Sequence, residues 1–204
     1  SLSCNKCLKD LTQLKKSLPW LSAVDSTALQ AAIQNLDIAF KNFFRRAKNG
    51  EKPGYPKFKS KKEHRKSYKS KCVGTTIKVL DGHVQLPKLG FVKCCVSKQV
   101  QGRILSATVS QNPSGKYFVS ICCTDVDIDP LPATGAAVGL DVGIKSFAVT
   151  SDGVEYPNHR HLRKSERKLT RLQRRLSRKP KGSKRREKAR IAVARMHEKI
   201  ANQR

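Results

Sequence analysis

The stretch Ala136-Ala137-Val138-Gly139-Leu140-Asp141-Val142-Gly143-Ile144-Lys145-Ser146-Phe147-Ala148-Val149-Thr150 decides how the chain is read. Ala136 to Val142 is a mostly apolar strand with one carboxylate, Asp141, near its end. Phe147 to Thr150 is a second strand, Asp152-Gly153 a tight turn, and Val154-Glu155-Tyr156 the start of a third. The apolar period then lengthens. Leu162, Leu169, Leu172 and Leu176 mark one helix, Ala189, Val193, Met196 and Ile200 a second, and Pro180-Lys181-Gly182 breaks between them.

Upstream, residues 72–124 also alternate as strands. Thr76 to Leu80 and His83 to Leu86 flank the turn Asp81-Gly82; Phe91 to Lys98, Arg103 to Gln111 and Lys116 to Cys123 follow. About five short strands with tight turns predict a small antiparallel barrel or sandwich. Residues 1–50 read as helical. Leu8, Leu11, Leu14 and Leu18 recur at helical spacing, Pro19-Trp20 interrupts, and Asp25-Ser26 is placed to cap a second helix. Its stripe of Leu29, Ala32, Ile33, Leu36, Ala39, Phe40, Phe43 and Phe44 reads as core or inter-helix packing. The expected fold class is therefore α+β. Four segments follow: a helical one at 1–50, a basic loop with a β-barrel at 51–124, a linker at 125–135, and a strand-then-helix domain at 136–204.

Charge narrows the function. The chain has 204 residues, with 43 Lys+Arg against 15 Asp+Glu, a formal net charge of +28. Such self-repulsion calls for a polyanion, and phosphate backbones are the obvious one. No apolar run is long enough for a transmembrane helix, so no membrane partner is expected. No charged-then-apolar leader opens the sequence, which predicts a cytoplasmic setting. The seven cysteines fit that setting: they are odd in number, and the adjacent pairs Cys94-Cys95 and Cys122-Cys123 suit small core positions better than cross-links. Cys4 and Cys7 have half the spacing of a zinc site with no second pair to match, and read as ordinary helix positions. The chain opens on Ser1 rather than Met, so it reads as processed, truncated, or a fragment of a longer frame.

Three places could carry function. The first is Lys52 to Lys71, where Tyr55, Lys57, Phe58 and Lys59 mix rings with cations, and Lys61, Lys62, Arg65, Lys66, Lys69 and Lys71 follow. That mixture suits a nucleic-acid backbone with occasional base stacking, and a solvated loop is the plain alternative. The second is the helical pair. From Tyr156 to Arg204 there are 19 Lys+Arg against Glu166, Glu187 and Glu198. One-sign helices at this density seek an anion, and Arg171, Arg174, Arg175, Arg178, Lys179, Lys184, Arg185 and Arg186 are the candidate phosphate contacts. The third is Asp141. A carboxylate on a buried strand needs compensation, either from a structural hydrogen bond or from a cation. In so basic a chain the reading favours a Mg²⁺ ligand acting on phosphodiesters, with Lys145 as a nearby positive charge and Gly143 leaving the backbone open to approach. A two-metal centre needs several converging carboxylates. Asp152 and Glu155 flank a turn and the remaining acids lie among cations, so the catalytic set reads as incomplete.

The chain resembles the OrfB/TnpB family of insertion-sequence proteins, relatives of type V CRISPR effector nucleases. The resemblance rests on Gly54-Tyr55-Pro56-Lys57-Phe58-Lys59, Leu86-Pro87-Lys88-Leu89-Gly90, Gly139 to Ala148, Leu169 to Lys179, and Ala201-Asn202-Gln203-Arg204. It implies a helical recognition segment, a wedge-like β-barrel, and the opening of a RuvC nuclease domain of RNase H-like fold. It also implies a guide RNA from the transposon, a DNA target, and Mg²⁺-dependent cleavage with Asp141 as the first RuvC carboxylate. The second and third carboxylates and the family's zinc ribbon are expected beyond Arg204, and a leading strand and helices before Ser1. Two functions are thus in play: part of an RNA-guided DNA endonuclease, inactive alone, or a non-enzymatic basic RNA- or DNA-binding module. A half-built sheet leaves edges unpaired, which predicts poor solubility or disorder past about residue 136 without nucleic acid.

Overall fold

A computed structural model describes residues 3–60, 66–127 and 129–203. The sequence candidates Lys61, Lys62, Arg65 and Arg204 lie outside the described residues. Among the described residues the fold is α+β with four α-helices and antiparallel sheets, in two compact units. The first unit carries α1 (Cys4–Ser17), a 3-10 turn (Pro19–Ala23), α2 (Ser26–Lys48), β1 (Lys66–Lys71), β2 (Lys78–Leu80), β3 (His83–Leu86), β4 (Gly90–Lys93), β5 (Arg103–Gln111) and β6 (Tyr117–Thr124). The second carries β7 (Leu140–Asp141), β8 (Ser146–Thr150), β9 (Glu155–Pro157), α3 (His161–Ser177) and α4 (Lys184–Asn202).

Local chemistry sets the helix limits. The Ser3 hydroxyl accepts from Lys6 N and starts α1, and Pro19 stops it. The Asp25 carboxylate accepts from Thr27 N at 3.1 Å, so the predicted cap of α2 is the one observed. Asp25 also joins helix to sheet. Ser70 Oγ on β1, fully buried, donates to Asp25 Oδ2 at 2.6 Å, and Lys71 N donates to Thr27 Oγ1 at 3.0 Å. Partial burial pushes the Asp25 carboxyl up, but the hydrogen bonds from Ser70 and Thr27 outweigh it and hold it below the ordinary value.

The strands of the first unit form two three-stranded antiparallel sheets, ordered β1-β5-β6 and β2-β3-β4. Ile77, Val84, Leu86 and Ala107 form one buried cluster between them, with Cys72, Cys94, Ile104, Val109 and Val119 packed around it. Val84 and Leu86 stand two apart on β3 and so share a face. Asp81 and Gly82 both have positive φ and turn β2 into β3 as a tight hairpin.

Four expectations need correction here. The strands do not close into a barrel: β2, β3 and β4 have only three or four residues, too few to carry a ladder round to the longer β5 and β6. Lys66–Lys71, read as part of a basic loop, is an edge strand paired with β5 from Lys66↔Gln111 to Lys71↔Ser106. The stripe of α2 is less buried than a core helix would be. The buried residues of the helix are Ala28 and Ala31, beside the stripe and near the cap where Asp25 and Thr27 bond to β1, while Leu36 and Phe44 of the stripe are exposed. Finally, all seven cysteines are free, but Cys95 and Cys122 are exposed rather than core positions.

In the second unit the order is β7-β8-β9, and the predicted Asp152-Gly153 turn joins β8 to β9. β7 is shorter than the strand read from Ala136 to Val142. The sheet is thinly covered. Ala148 is its one buried residue among those described, whereas Leu140, Val142, Ile144, Phe147 and Tyr156 are exposed. The helices α3 and α4 pack on each other, and Ser183 caps α4 by accepting from Arg186 N at 3.1 Å.

Candidate nucleic-acid interface

Asp141 ends β7 and pairs with Val149 of β8, which pairs in turn with Glu155 of β9. Residues opposite one another in an antiparallel sheet share a face, so Asp141, Val149 and Glu155 form one transverse row. The two carboxylate-bearing positions lie two strand spacings apart, about 10 Å. Glu155 accepts a hydrogen bond from Ser146 Oγ. Asp141 itself is exposed, not buried as the apolar run suggested, because three short strands leave its surroundings open to water. Burial therefore does not demand a compensating cation. A hard, exposed carboxylate still suits Mg²⁺, which keeps several waters and takes one or two carboxylates. Among the described residues no group of three or more His, Cys, Asp or Glu is placed to hold a metal. Lys145 is exposed in the β7–β8 connection. At Gly143 an added Cβ would meet the Ser146 carbonyl oxygen at 3.4 Å, close to an ordinary contact.

The strongest electrostatic feature is α3. Arg167, Arg171, Arg174 and Arg178 recur at four-, three- and four-residue steps and fall within one narrow arc of the helix, opposite Leu169, Leu172 and Leu176. These arginines line a shallow depression of about 840 Å³ with Arg175 and Lys179, and Glu166 is the acid bordering it. Arg175 and Lys179 also border a smaller groove of about 370 Å³ between α3 and α4, shared with Arg185 and Lys188. The helix pair thus brings together Arg171, Arg174, Arg175, Arg178, Lys179 and Arg185 from the sequence candidates. Lys184 is exposed at the first turn of α4. Arg167 and Lys188 were not singled out in the sequence, although Arg167 stands one helical turn before Arg171 on the same face.

Arg186 has a different placement. Its Nη1 donates to Leu176 O at 3.0 Å and to Lys179 O at 2.8 Å, adding a side-chain donor to the Leu176 carbonyl that already accepts from Lys179 N and reaching the Lys179 carbonyl just past the C-terminal end of α3. It is half-buried, and its guanidinium holds the helix pair together. In the first unit, Tyr55 packs its ring edge-on against Phe40 and Phe43 of α2, while Phe58 is 93% exposed and Lys57 and Lys59 flank it in the open.

The site and fold define a strongly cationic α+β protein with an arginine-faced helical pair. Residues 120–204 match a family model described as "Probable transposase". A Streptomyces pristinaespiralis protein named "Putative RNA-guided DNA endonuclease" is 38% identical over 199 residues, covering 95% of this chain and 48% of that protein. The Escherichia coli (strain K12) protein named "Putative RNA-guided DNA endonuclease InsQ" is 34% identical over 183 residues, covering 90% of this chain and 44% of its own length. The chain belongs to the OrfB/TnpB family of insertion-sequence proteins. It spans about half the length of the curated relatives it matches. Among the described residues no helix is long and apolar enough to cross a membrane.

Proposed function

We propose that the chain is the nucleic-acid-holding portion, and the opening of the nuclease domain, of a transposon-encoded RNA-guided DNA endonuclease. Its partners are a guide RNA from the element and a DNA target. The observation that carries this reading is the arginine face of α3, with six cations around one depression. Such a face neutralises several successive phosphates and reads backbone shape rather than base identity. Sequence choice then rests with guide–target pairing, and the protein supplies the channel. The names of the two relatives support the same activity for the parent protein.

The sheet β7-β8-β9 with Asp141 on its first strand, followed by basic helices, is consistent with the start of an RNase H-like RuvC domain. Asp141 is its candidate metal ligand. Bound Mg²⁺ would activate water and stabilise charge in phosphodiester hydrolysis. Asp141 supplies one of the several carboxylates such a centre needs, so cleavage belongs to the longer parent and not to this chain alone. Arg171, Arg174, Arg175, Arg178, Lys179, Lys184 and Arg185 hold phosphates, Lys145 adds a charge beside Asp141, and Tyr55, Lys57, Phe58 and Lys59 extend the interface. Arg186 acts through the helix pair it holds.

The test is guided cleavage by the parent reading frame carrying Asp141→Ala. Loss of cleavage with retained RNA and DNA binding is the expected result. Cleavage at the unsubstituted rate would remove Asp141 from the catalytic set.

A further inference from the structure

The C-terminal part of α2 carries rings that packing does not hide. Phe44 lies 6.4 Å from Phe40 at an interplanar angle of 27° and meets Phe43 edge-on at 5.2 Å. Tyr55 closes the group from the next segment, perpendicular to Phe40 at 5.7 Å and to Phe43 at 5.4 Å. These distances and angles are those of favourable aromatic pairs, so the four rings form a fixed ledge. Phe44 is 63% exposed, Tyr55 66% and Phe58 93%. Residues 41–60 also hold seven Lys+Arg against one acid, Glu51. Two of those cations are paired, Lys41 with Asp37 at 2.8 Å and Arg46 with Glu51 at 3.9 Å.

We propose that this ledge is a stacking site for unpaired bases of a nucleic-acid strand. Phe44 and Phe58 offer ring faces, Lys48, Lys52, Lys57 and Lys59 meet the phosphates, and Tyr55 is a positioning residue that braces Phe40 and Phe43. The charge selects the occupant. An apolar protein surface laid over the ledge would strand several ammonium groups without partners. A duplex would satisfy the cations but keep its bases hidden in the stack. An unpaired strand supplies phosphates and base faces together, and every base has a π-face to offer. The inference rests on the reading of the chain as a nucleic-acid-binding protein and adds a second ligand class, unpaired strand, on the first unit.

The experiment uses fluorescence anisotropy with three probes of about 12 nucleotides, a length within the usual site range. These are a mixed-sequence single strand, an abasic strand of equal length, and a duplex. The 204-residue chain should bind the base-bearing strand about tenfold tighter than the abasic one. Phe58→Ala, at a position too exposed to matter for folding, should remove part of that preference. Phe44→Leu with Phe58→Ala should remove nearly all of it, with a much smaller change on the abasic and duplex probes. Equal binding of both single strands by the parent chain would overturn the ledge while leaving phosphate binding intact. A preference that survives the double substitution would overturn it too, as would an equal loss on all three probes. A double variant changed only in self-association would make the ledge a protein contact and overturn the proposal. No binding of any probe by the parent chain would sink the underlying reading as well.

Discussion

Two side chains carry more of the structure than their sequence positions suggest. Asp25 caps α2 and receives the hydroxyl of Ser70, 45 residues away. Its carboxyl is held below the ordinary value of 3.8. A depressed folded-state value contributes stability above the unfolded value and loses it as pH falls through the folded one. Urea unfolding of this chain should therefore show stability dropping below about pH 4, where ordinary aspartates protonate. Asp25→Asn, which still caps, should flatten that acid limb, and Asp25→Ala should cost about 0.5–2 kcal/mol at neutral pH. An acid limb unchanged in the Asn variant would assign it to other groups. Arg186 is the second case. Arg186→Met removes the side-chain donor from both the Leu176 and the Lys179 carbonyls, of which Leu176 keeps its backbone partner Lys179 N, an expected loss of about 1 kcal/mol. In a chain of this size that is about 2–4 °C in thermal midpoint. A midpoint that stays put, with the salt dependence of binding lowered by about one phosphate, would make Arg186 a phosphate contact instead.

At the scale of elements, sequence legibility followed local chemistry. The α2 cap, the Asp81-Gly82 hairpin, and the Asp152-Gly153 turn between β8 and β9 were readable because each depends on neighbours along the chain. Strand β1 was not, because Lys66–Lys71 is polar on both faces and Ser70 is drawn inward by Asp25, not by hydrophobicity. The arginine face of α3 was legible from helical spacing, although its full length back to Arg167 needed the helix start. The exposure of Asp141 was not legible, since an apolar run implies burial only where something covers it. Here Leu140 and Val142 on either side are 61% and 66% exposed. Amide exchange should accordingly be fast across β7–β9 and slow in β3 and β5, where Val84 and Ala107 are buried. Protection of β8 equal to that of β5 would contradict the edge argument.

For the whole molecule, the net charge of +28 is the physical fact from which the functional reading starts. Charge alone predicts generic binding; concentration of arginine on one face of α3 predicts where the binding sits. On the proposed function that face holds guide and target strands, and Asp141 takes part in the chemistry performed on them. The most direct measurement is the salt dependence of RNA binding by this chain and by a variant with Arg167, Arg171, Arg174 and Arg178 changed to Gln. With about 6–10 phosphates neutralised, affinity should fall about 10³–10⁵-fold between roughly 50 and 200 mM salt. The variant should lose about three to four units of the log–log slope, close to one per arginine removed. A slope the same in both proteins, or near zero in the parent chain, would contradict the assignment of α3 as the phosphate-holding face.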